Sequence, residues 1–193
     1  KQALLANPKI VFLCSPNNPT GNLLAEEDIL EVLHAGTGLV VVDEAYIDFA
    51  SRPSLIQTAL AEHQNLIILQ TFSKAWGLAN IRLGMAFASP ILINILNQVK
   101  PPYNVNGITQ EVALRALSHL DQKNQIVADI IEQREWLKEE MDHIPLVKHI
   151  FPSDANFLLI QVDQPDEVYQ QLIQQKIIVR NRSRLTKCEG CLR

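Results

Sequence analysis

The run Thr71-Phe72-Ser73-Lys74-Ala75-Trp76-Gly77 places an amine among small and aromatic neighbours, with no acid beside it to trap it as a salt bridge. An amine set this way, partly desolvated, suits attack on a carbonyl and formation of a Schiff base. Further upstream, Asp43 closes the apolar run Leu39-Val40-Val41-Val42, where a buried carboxylate could keep a heterocyclic nitrogen protonated. Three residues on, Tyr46 could donate a hydrogen bond to a phenolic oxygen, with Asn18 as a second donor; Ala45, between Asp43 and Tyr46, is small enough for a flat ring to pack closely. Thr71, Ser73 and Arg82 offer hydroxyls and a guanidinium, the groups that bind a dianionic phosphate.

Each residue alone has an ordinary structural reading. Asp43 could cap a helix or end a strand in a turn, Asn18-Pro19 could be a plain turn, Tyr46 core and Arg82 a surface charge. Together they make up what pyridoxal 5'-phosphate (PLP) chemistry requires: an imine-forming lysine, an acid for the pyridine nitrogen, donors for the phenolic oxygen and a phosphate cradle.

These residues need a scaffold that gathers them. The apolar run 10–14 leads into Ser15-Pro16-Asn17-Asn18-Pro19-Thr20-Gly21, a buried strand entering a tight loop. Residues 25–35 carry Ile29, Leu30, Val32 and Leu33 behind the acids Glu26, Glu27 and Asp28, which predicts a helix. The runs 39–42 and 66–69 predict two more strands, and 84–88 a further one. Continuous apolar strands alternating with helices imply a parallel sheet covered on both faces. Asn18, Asp43 and the Thr71–Lys74 run then fall at the carboxyl ends of strands, the edge where open α/β sheets bind ligands.

From residue 107 the pattern turns helical. Residues 121–143 predict a long helix with Ile126, Ile130, Ile131, Leu137 and Met141 turned inward, broken by Pro145. Beyond it, strands are expected at 147–151, 156–162 and 177–180, with a helix at 165–175 whose first turn accepts Pro165. The fold class is thus α/β: a mostly parallel sheet flanked by helices, plus part of a smaller carboxy-terminal α/β domain. The units expected are 1–120, a connecting helix at 121–143, and 144–193.

A length of 193 residues, 47% hydrophobic and 20% charged, describes an ordinary globular chain with room for one core and part of a second. The net charge of -4 gives no footprint for nucleic acid. No apolar run has the length of a membrane span and no signal-peptide pattern is present, so no membrane partner and a cytoplasmic location are expected. Three cysteines do not make a disulfide framework, and Cys188-Glu189-Gly190-Cys191 lacks a second ligand pair for a metal. His34, His63, His119, His143 and His149 fit no metal spacing, so no metal site is expected. Arg180, Arg182, Arg184 and Lys187 form a basic cluster that could simply be a solvated loop.

Several ordered motifs carry a family resemblance: Asn17-Asn18-Pro19-Thr20-Gly21, Asp43-Glu44-Ala45-Tyr46-Ile47-Asp48-Phe49, Thr71-Phe72-Ser73-Lys74, Gly77-Leu78-Ala79 and Arg82-Leu83-Gly84. It continues through Asp154-Ala155-Asn156-Phe157, Val179-Arg180-Asn181 and Gly190-Cys191-Leu192-Arg193, so it spans essentially the whole chain. The sequence resembles the fold type I PLP-dependent aminotransferases and, more narrowly, the histidinol-phosphate aminotransferases. The resemblance implies that Lys74 holds the cofactor covalently and Asp43 pairs with its pyridine nitrogen. It implies that Tyr46 and Asn18 hold the phenolic oxygen, and that Thr71, Ser73 and Arg82 bind the phosphate. Arg193 would clamp a substrate α-carboxylate, a fork-to-fork contact that lysine imitates poorly. Arg180 would contact the phosphate of histidinol phosphate. Histidinol phosphate with 2-oxoglutarate is the implied substrate pair, histidine biosynthesis the implied pathway and a homodimer the implied assembly.

The family's amino-terminal segment, with a phosphate-binding loop, a stacking aromatic and substrate-phosphate tyrosines, has no counterpart in this sequence. The family's last elements beyond the carboxylate arginine are also not matched, so the expectation is a piece of a longer protein. Two other enzymes fit the same cofactor residues, a threonine-phosphate decarboxylase and an aromatic-amino-acid aminotransferase. A non-enzymatic binding or dimerisation module is the reading from another class.

Overall fold

The computed structural model describes residues 5–35 and 38–193. The first and last of the apolar runs around Asp43 become strands with it: β1 (Ile10–Cys14), β2 (Leu39–Asp43) and β3 (Leu66–Thr71). β1 pairs in parallel with β2 and β2 with β3, which sets Cys14 opposite Asp43 and Asp43 opposite Leu69. β4 (Gly84–Ala88) returns antiparallel along β3, with Gly84 opposite Thr71. The order β1-β2-β3-β4 therefore brings the carboxyl ends of three parallel strands to one edge.

Helix α1 (Glu26–Ala35) starts with three acids at its positive end and buries Ile29 and Leu33. The one-turn α2 (Leu55–Thr58) is capped by Ser54, whose hydroxyl accepts from the Ile56 N–H. Ile29, Leu33 and Leu55 pack with Val40, Val42, Leu66 and Ile68 into one core. Coverage of both faces does not hold along β1, where Ile10 and Phe12 are 50% and 69% exposed. β1 is an edge strand here, and its alternate side chains meet no helix among the described residues.

α3 (Pro90–Val99), not anticipated from sequence, is followed by α4 (Gly107–Leu117) and the long α5 (Leu120–Asp142). The inward face of α5 differs from the expected one. Val127 is its buried residue, with Ile130 and Ile131 partly covered, whereas Ile126 and Leu137 are exposed. The face that meets the protein runs through Lys123, Val127, Ile130, Ile131 and Arg134. Its two charged ends were invisible to a search for apolar periodicity.

Beyond α5 a second sheet forms from β5 (Val147–Ile150), β6 (Ile160–Val162) and β7 (Cys191–Leu192), all antiparallel in that order. α6 (Pro165–Gln174) lies between β6 and β7 in the chain. The strand expected at 177–180 does not form; the third strand is instead β7. The pairing there is short and local: Arg180 and Arg193 exchange backbone hydrogen bonds of 2.8 Å, Asn181 bridges Leu192, and the Arg182 N–H donates to the Cys191 carbonyl at 2.9 Å. The strand expected at 156–162 also starts late. Ser153 donates to the Phe157 carbonyl at 2.6 Å and accepts from the Ala155 N–H at 3.2 Å, holding that stretch as a loop. Residues 1–4 and 36–37 of the first expected unit lie outside the described residues.

Loop 153–157 is where the two sheets meet. The Asp154 N–H donates to the Gly21 carbonyl at 2.8 Å, and its Oδ1 accepts from the Ser51 N–H at 2.9 Å. Arg134 reaches from α5 to the carbonyls of Phe49 and Ala155, at 3.3 and 2.9 Å. Tyr46, Phe49, Ala75, Val127 and Ala155 close a buried cluster behind this seam.

Candidate active site

The loop after β3 is built to present Lys74. The Phe72 N–H donates to the Leu83 carbonyl at 3.1 Å, and Gly77 N–H to the Lys74 carbonyl at 2.9 Å. Gly77 takes φ +66°, a left-handed turn that glycine adopts without a steric penalty. Phe72 and Ala75 are buried on either side, so the backbone is pinned while the Lys74 side chain stays partly exposed. Its Nζ lies 5.1 Å from the centre of the Tyr46 ring. Among the described residues no carboxylate pairs with it.

Lys74, Asp43, Ala45, Thr71, Ser73 and Arg82 line a single cleft of about 600 Å³ at the carboxyl edge of the parallel strands. Asp43 uses Oδ1 to accept from the Ala45 N–H at 3.0 Å, so the strand-end turn is real and coexists with a place on the cleft wall. Thr71 Oγ1 accepts from the Ser73 N–H at 3.1 Å and donates to the Leu83 carbonyl at 3.3 Å. Arg82 follows a short 3-10 helix, Ala79–Ile81, and holds φ +52°. A non-glycine residue pays about 1–2 kcal/mol for that region, and such strain tends to sit at functional positions. The Arg82 guanidinium also donates to the Ala79 carbonyl at 3.0 Å.

Asn18 and Tyr46 do not line this cleft but meet beside it, on the side of Lys74 that faces the Tyr46 ring. Asn18 sits in a loop closed by Asn17, whose carbonyl accepts from the Gly21 N–H at 2.7 Å. Its Nδ2 donates to Tyr46 Oη at 3.3 Å, and its Oδ1 accepts from Arg193 Nη1 at 2.5 Å. Arg193 arrives from the second sheet and lies over the Phe157 ring at 4.8 Å, while Phe157 meets Tyr46 edge-on at 5.3 Å. Burial and the Arg182 guanidinium push the Arg193 guanidinium below its usual range; Tyr46 opposes this and Arg180 adds to it. A guanidinium crowded by like charge and short of an anion favours an incoming carboxylate.

Arg180 is not brought to the Lys74 cleft. Its side chain lines a separate cleft of about 430 Å³ with Asp166, Arg182 and Arg184. Sequence reasoning also missed Glu44, which is 2% exposed beside Asp43 and bonded to Ser54, Leu55 and Gln70. An acid next to an acid at a strand end was the available signal. Lys123 was missed as well, for the reason given for α5. Among the described residues, no three His, Cys, Asp or Glu groups gather to hold a metal, and no helix is long and apolar enough to cross a membrane.

The family model described as aminotransferase class I and II matches residues 1–193. The chain belongs to that family. It is 48% identical over 191 residues to a histidinol-phosphate aminotransferase of Cytophaga hutchinsonii, a match that covers 99% of this chain and 55% of that protein. The chain thus spans about half the length of the relatives it matches. Two solved histidinol-phosphate aminotransferases share its fold. The Clostridium acetobutylicum protein superposes with a TM-score of 0.90 at 22% identity, over 99% of this chain and 60% of that one. The Sinorhizobium meliloti protein, solved in complex with pyridoxal-5'-phosphate, gives 0.87 at 25% identity, over 99% and 54%. The α/β architecture, with its mostly parallel sheet, is that of the PLP-dependent fold type I transferases.

Proposed function

We propose that the whole protein is a PLP-dependent aminotransferase that moves an amino group between histidinol phosphate and 2-oxoglutarate in histidine biosynthesis. One observation carries the reading: Lys74, Asp43, Thr71, Ser73 and Arg82 line one cleft, and the Lys74 amine faces the ring of Tyr46, whose hydroxyl is bonded to Asn18. That donor set fits a flat, dianionic aldehyde. The carboxylate would face the ring nitrogen, the hydroxyls and guanidinium the phosphate, and the Asn18–Tyr46 pair the phenolic oxygen. The name borne by the relatives supports the substrate class. The family resemblance supports a cytoplasmic homodimer, with 1–120 as the cofactor-binding unit, 121–143 as connecting helix and 144–193 as part of the substrate-facing unit.

Bound PLP would supply an electron sink for the bond broken at the substrate's α-carbon. The chain's own residues do the rest. Lys74 Nζ would hold the cofactor and, as a free amine, would carry the substrate's α-proton. Asp43 would face the ring nitrogen and favour its protonated form. Arg193, stacked on Phe157, presents its fork to the carboxylate of the glutamate half-reaction, since histidinol phosphate has none. Arg180, whose side chain lines the Asp166 cleft in the structure, would serve the phosphate of the other half-reaction on the family resemblance alone.

Borohydride reduction of the whole protein with PLP, followed by peptide mass spectrometry, tests the reading at its centre. A reduced pyridoxyl adduct on Lys74 is expected, and its absence sinks the proposal. Carbon dioxide release from phosphothreonine would move the assignment to a decarboxylase. Full turnover of phenylalanine would move it to an aromatic aminotransferase.

A further inference from the structure

We infer that Lys123, on α5, is a positioning residue that holds the Tyr46 segment and the Lys74 loop in register through one ammonium. Its Nζ makes an ion pair with Asp48, two residues beyond Tyr46. The same Nζ stands 5.5 Å from the centre of the Trp76 ring, two residues beyond Lys74, within reach of a cation–π contact. Trp76 in turn leans on Phe72 at 5.4 Å, on the other side of Lys74. The inference rests on the cofactor reading only in giving these two segments a job in common.

Burial separates this pair from an ordinary surface ion pair. The Lys123 side chain is 13% exposed and that of Asp48 28%, whereas Lys148 and Asp163 pair at 51% and 61%. An ammonium desolvated to that degree is held by its partners, and screening by salt is weak. Four residues along α5, Val127 enters the cluster of Tyr46, Phe49, Ala75 and Ala155. A further two turns on, Arg134 ties the carbonyls of Phe49 and Ala155. Among the described residues, the polar contact from α5 to the Lys74 loop is made by Lys123, which also holds Asp48. Without it, the Asp48 end of the Tyr46 segment and the Trp76 end of the Lys74 loop lose their shared partner, and both segments loosen. The 5.1 Å stacking distance between the Lys74 amine and the Tyr46 ring is what this tie maintains.

The test uses the whole protein in three forms, unaltered, Lys123→Met and Lys123→Arg, with hydrogen–deuterium exchange on the cofactor-free protein and PLP affinity on the same preparations. Lys123→Met should raise exchange in both 45–50 and 73–78. It should weaken PLP binding about tenfold, the scale of one charge-assisted contact. Lys123→Arg should restore most of both. In a Tyr46→Phe background the Lys123→Met loss should shrink to under about threefold, because coupled positions do not add. Faster exchange in only one segment, or additive losses in the double variant, overturns the inference and assigns Lys123 to general stability. Exchange decides the point even if no pyridoxyl adduct forms on Lys74, a result that would refute the cofactor reading separately.

Discussion

Replacing Glu44 tests how the strand end that carries Asp43 is held. The residue is 2% exposed and its carboxylate accepts three local hydrogen bonds. Oε1 accepts from the Leu55 N–H at 2.9 Å; Oε2 accepts from the Ser54 hydroxyl at 2.5 Å and from Gln70 Nε2 at 3.0 Å. In Glu44→Ala the Leu55 N–H, on a residue with no exposure, loses its partner, which costs about 1–3 kcal/mol. The two other donors are part-buried and recover some bonding from water, so they and the cavity add about 1–2 kcal/mol. The sum, about 2–5 kcal/mol, is a large share of a typical domain's stability. Glu44→Gln keeps an acceptor for Leu55, the Ser54 hydroxyl can turn to accept, and Gln70 can flip its amide. Its cost should be about 1–2 kcal/mol. Urea unfolding of the two variants against the parent, at unchanged slope, reads the difference. If Glu44→Ala unfolds within about 0.5 kcal/mol of the parent, or if Gln is as damaging as Ala, the carboxylate is not the anchor described.

Gly21→Ala should destabilise the seam between the sheets by about 2–4 kcal/mol, because φ +80° is strained for alanine and its Cβ would lie 2.5 Å from Ser153 Oγ. Measured against Ser153→Gly alone, which already loses the two bonds of the Ser153 hydroxyl, adding Gly21→Ala should cost little beyond the backbone share, a difference that thermal midpoints of the single and double variants can read. Burial, and then the Asp43 charge, raise the Cys14 thiol, so at pH 8 it holds less thiolate than a free cysteine and should alkylate more slowly. Asp43→Asn removes the second cause and should speed that reaction at pH 8, while burial, the larger cause, keeps it slower than free cysteine. Equal rates with Asp and Asn at 43, followed by peptide mass spectrometry, would show that the two groups do not sense each other.

The large sheet was legible because its strands are continuous apolar runs, and a run such as Leu39–Asp43 buried on both sides has few other ways to fold. The placement of the candidate residues was legible for the same reason, since parallel pairing brings Asn18, Asp43 and Lys74 to one edge once the strands are found. The second sheet was only partly so. The residues 177–180 have strand-forming side chains, yet a strand needs a neighbour to pair with, and the neighbour went to Cys191–Leu192. Two residues give no periodicity to detect. The inward face of α5 failed differently: Lys123 and Arg134 look like solvated charges in a sequence, and only the tertiary fold supplies Asp48 and the two carbonyls that bury them. Arg180 shows the remaining gap, since backbone pairing with Arg193 fixes where its Cα lies but not which cleft its long side chain enters.

The distribution of acids around Tyr46 follows from what each lysine there has to do. Two ammonium groups lie in this neighbourhood, Lys74 facing the Tyr46 ring and Lys123 facing that of Trp76. Asp48, two residues beyond Tyr46, is committed to Lys123. Asp43, on the cleft wall with Lys74, has Oδ1 turned to the Ala45 N–H. The lysine proposed to hold position is therefore paired, and the lysine proposed to form and release a covalent bond faces an aromatic ring. An ion pair on Lys74 would stabilise its protonated, non-nucleophilic form, whereas the ring offers a weaker attraction that an incoming carbonyl can displace. Moving the acid, rather than the lysine, is then the more discriminating change. Ala75→Asp puts an acid beside Lys74 at a buried apolar position, so its slower covalent capture of PLP is read against Ala75→Asn, which carries the same packing cost without the charge.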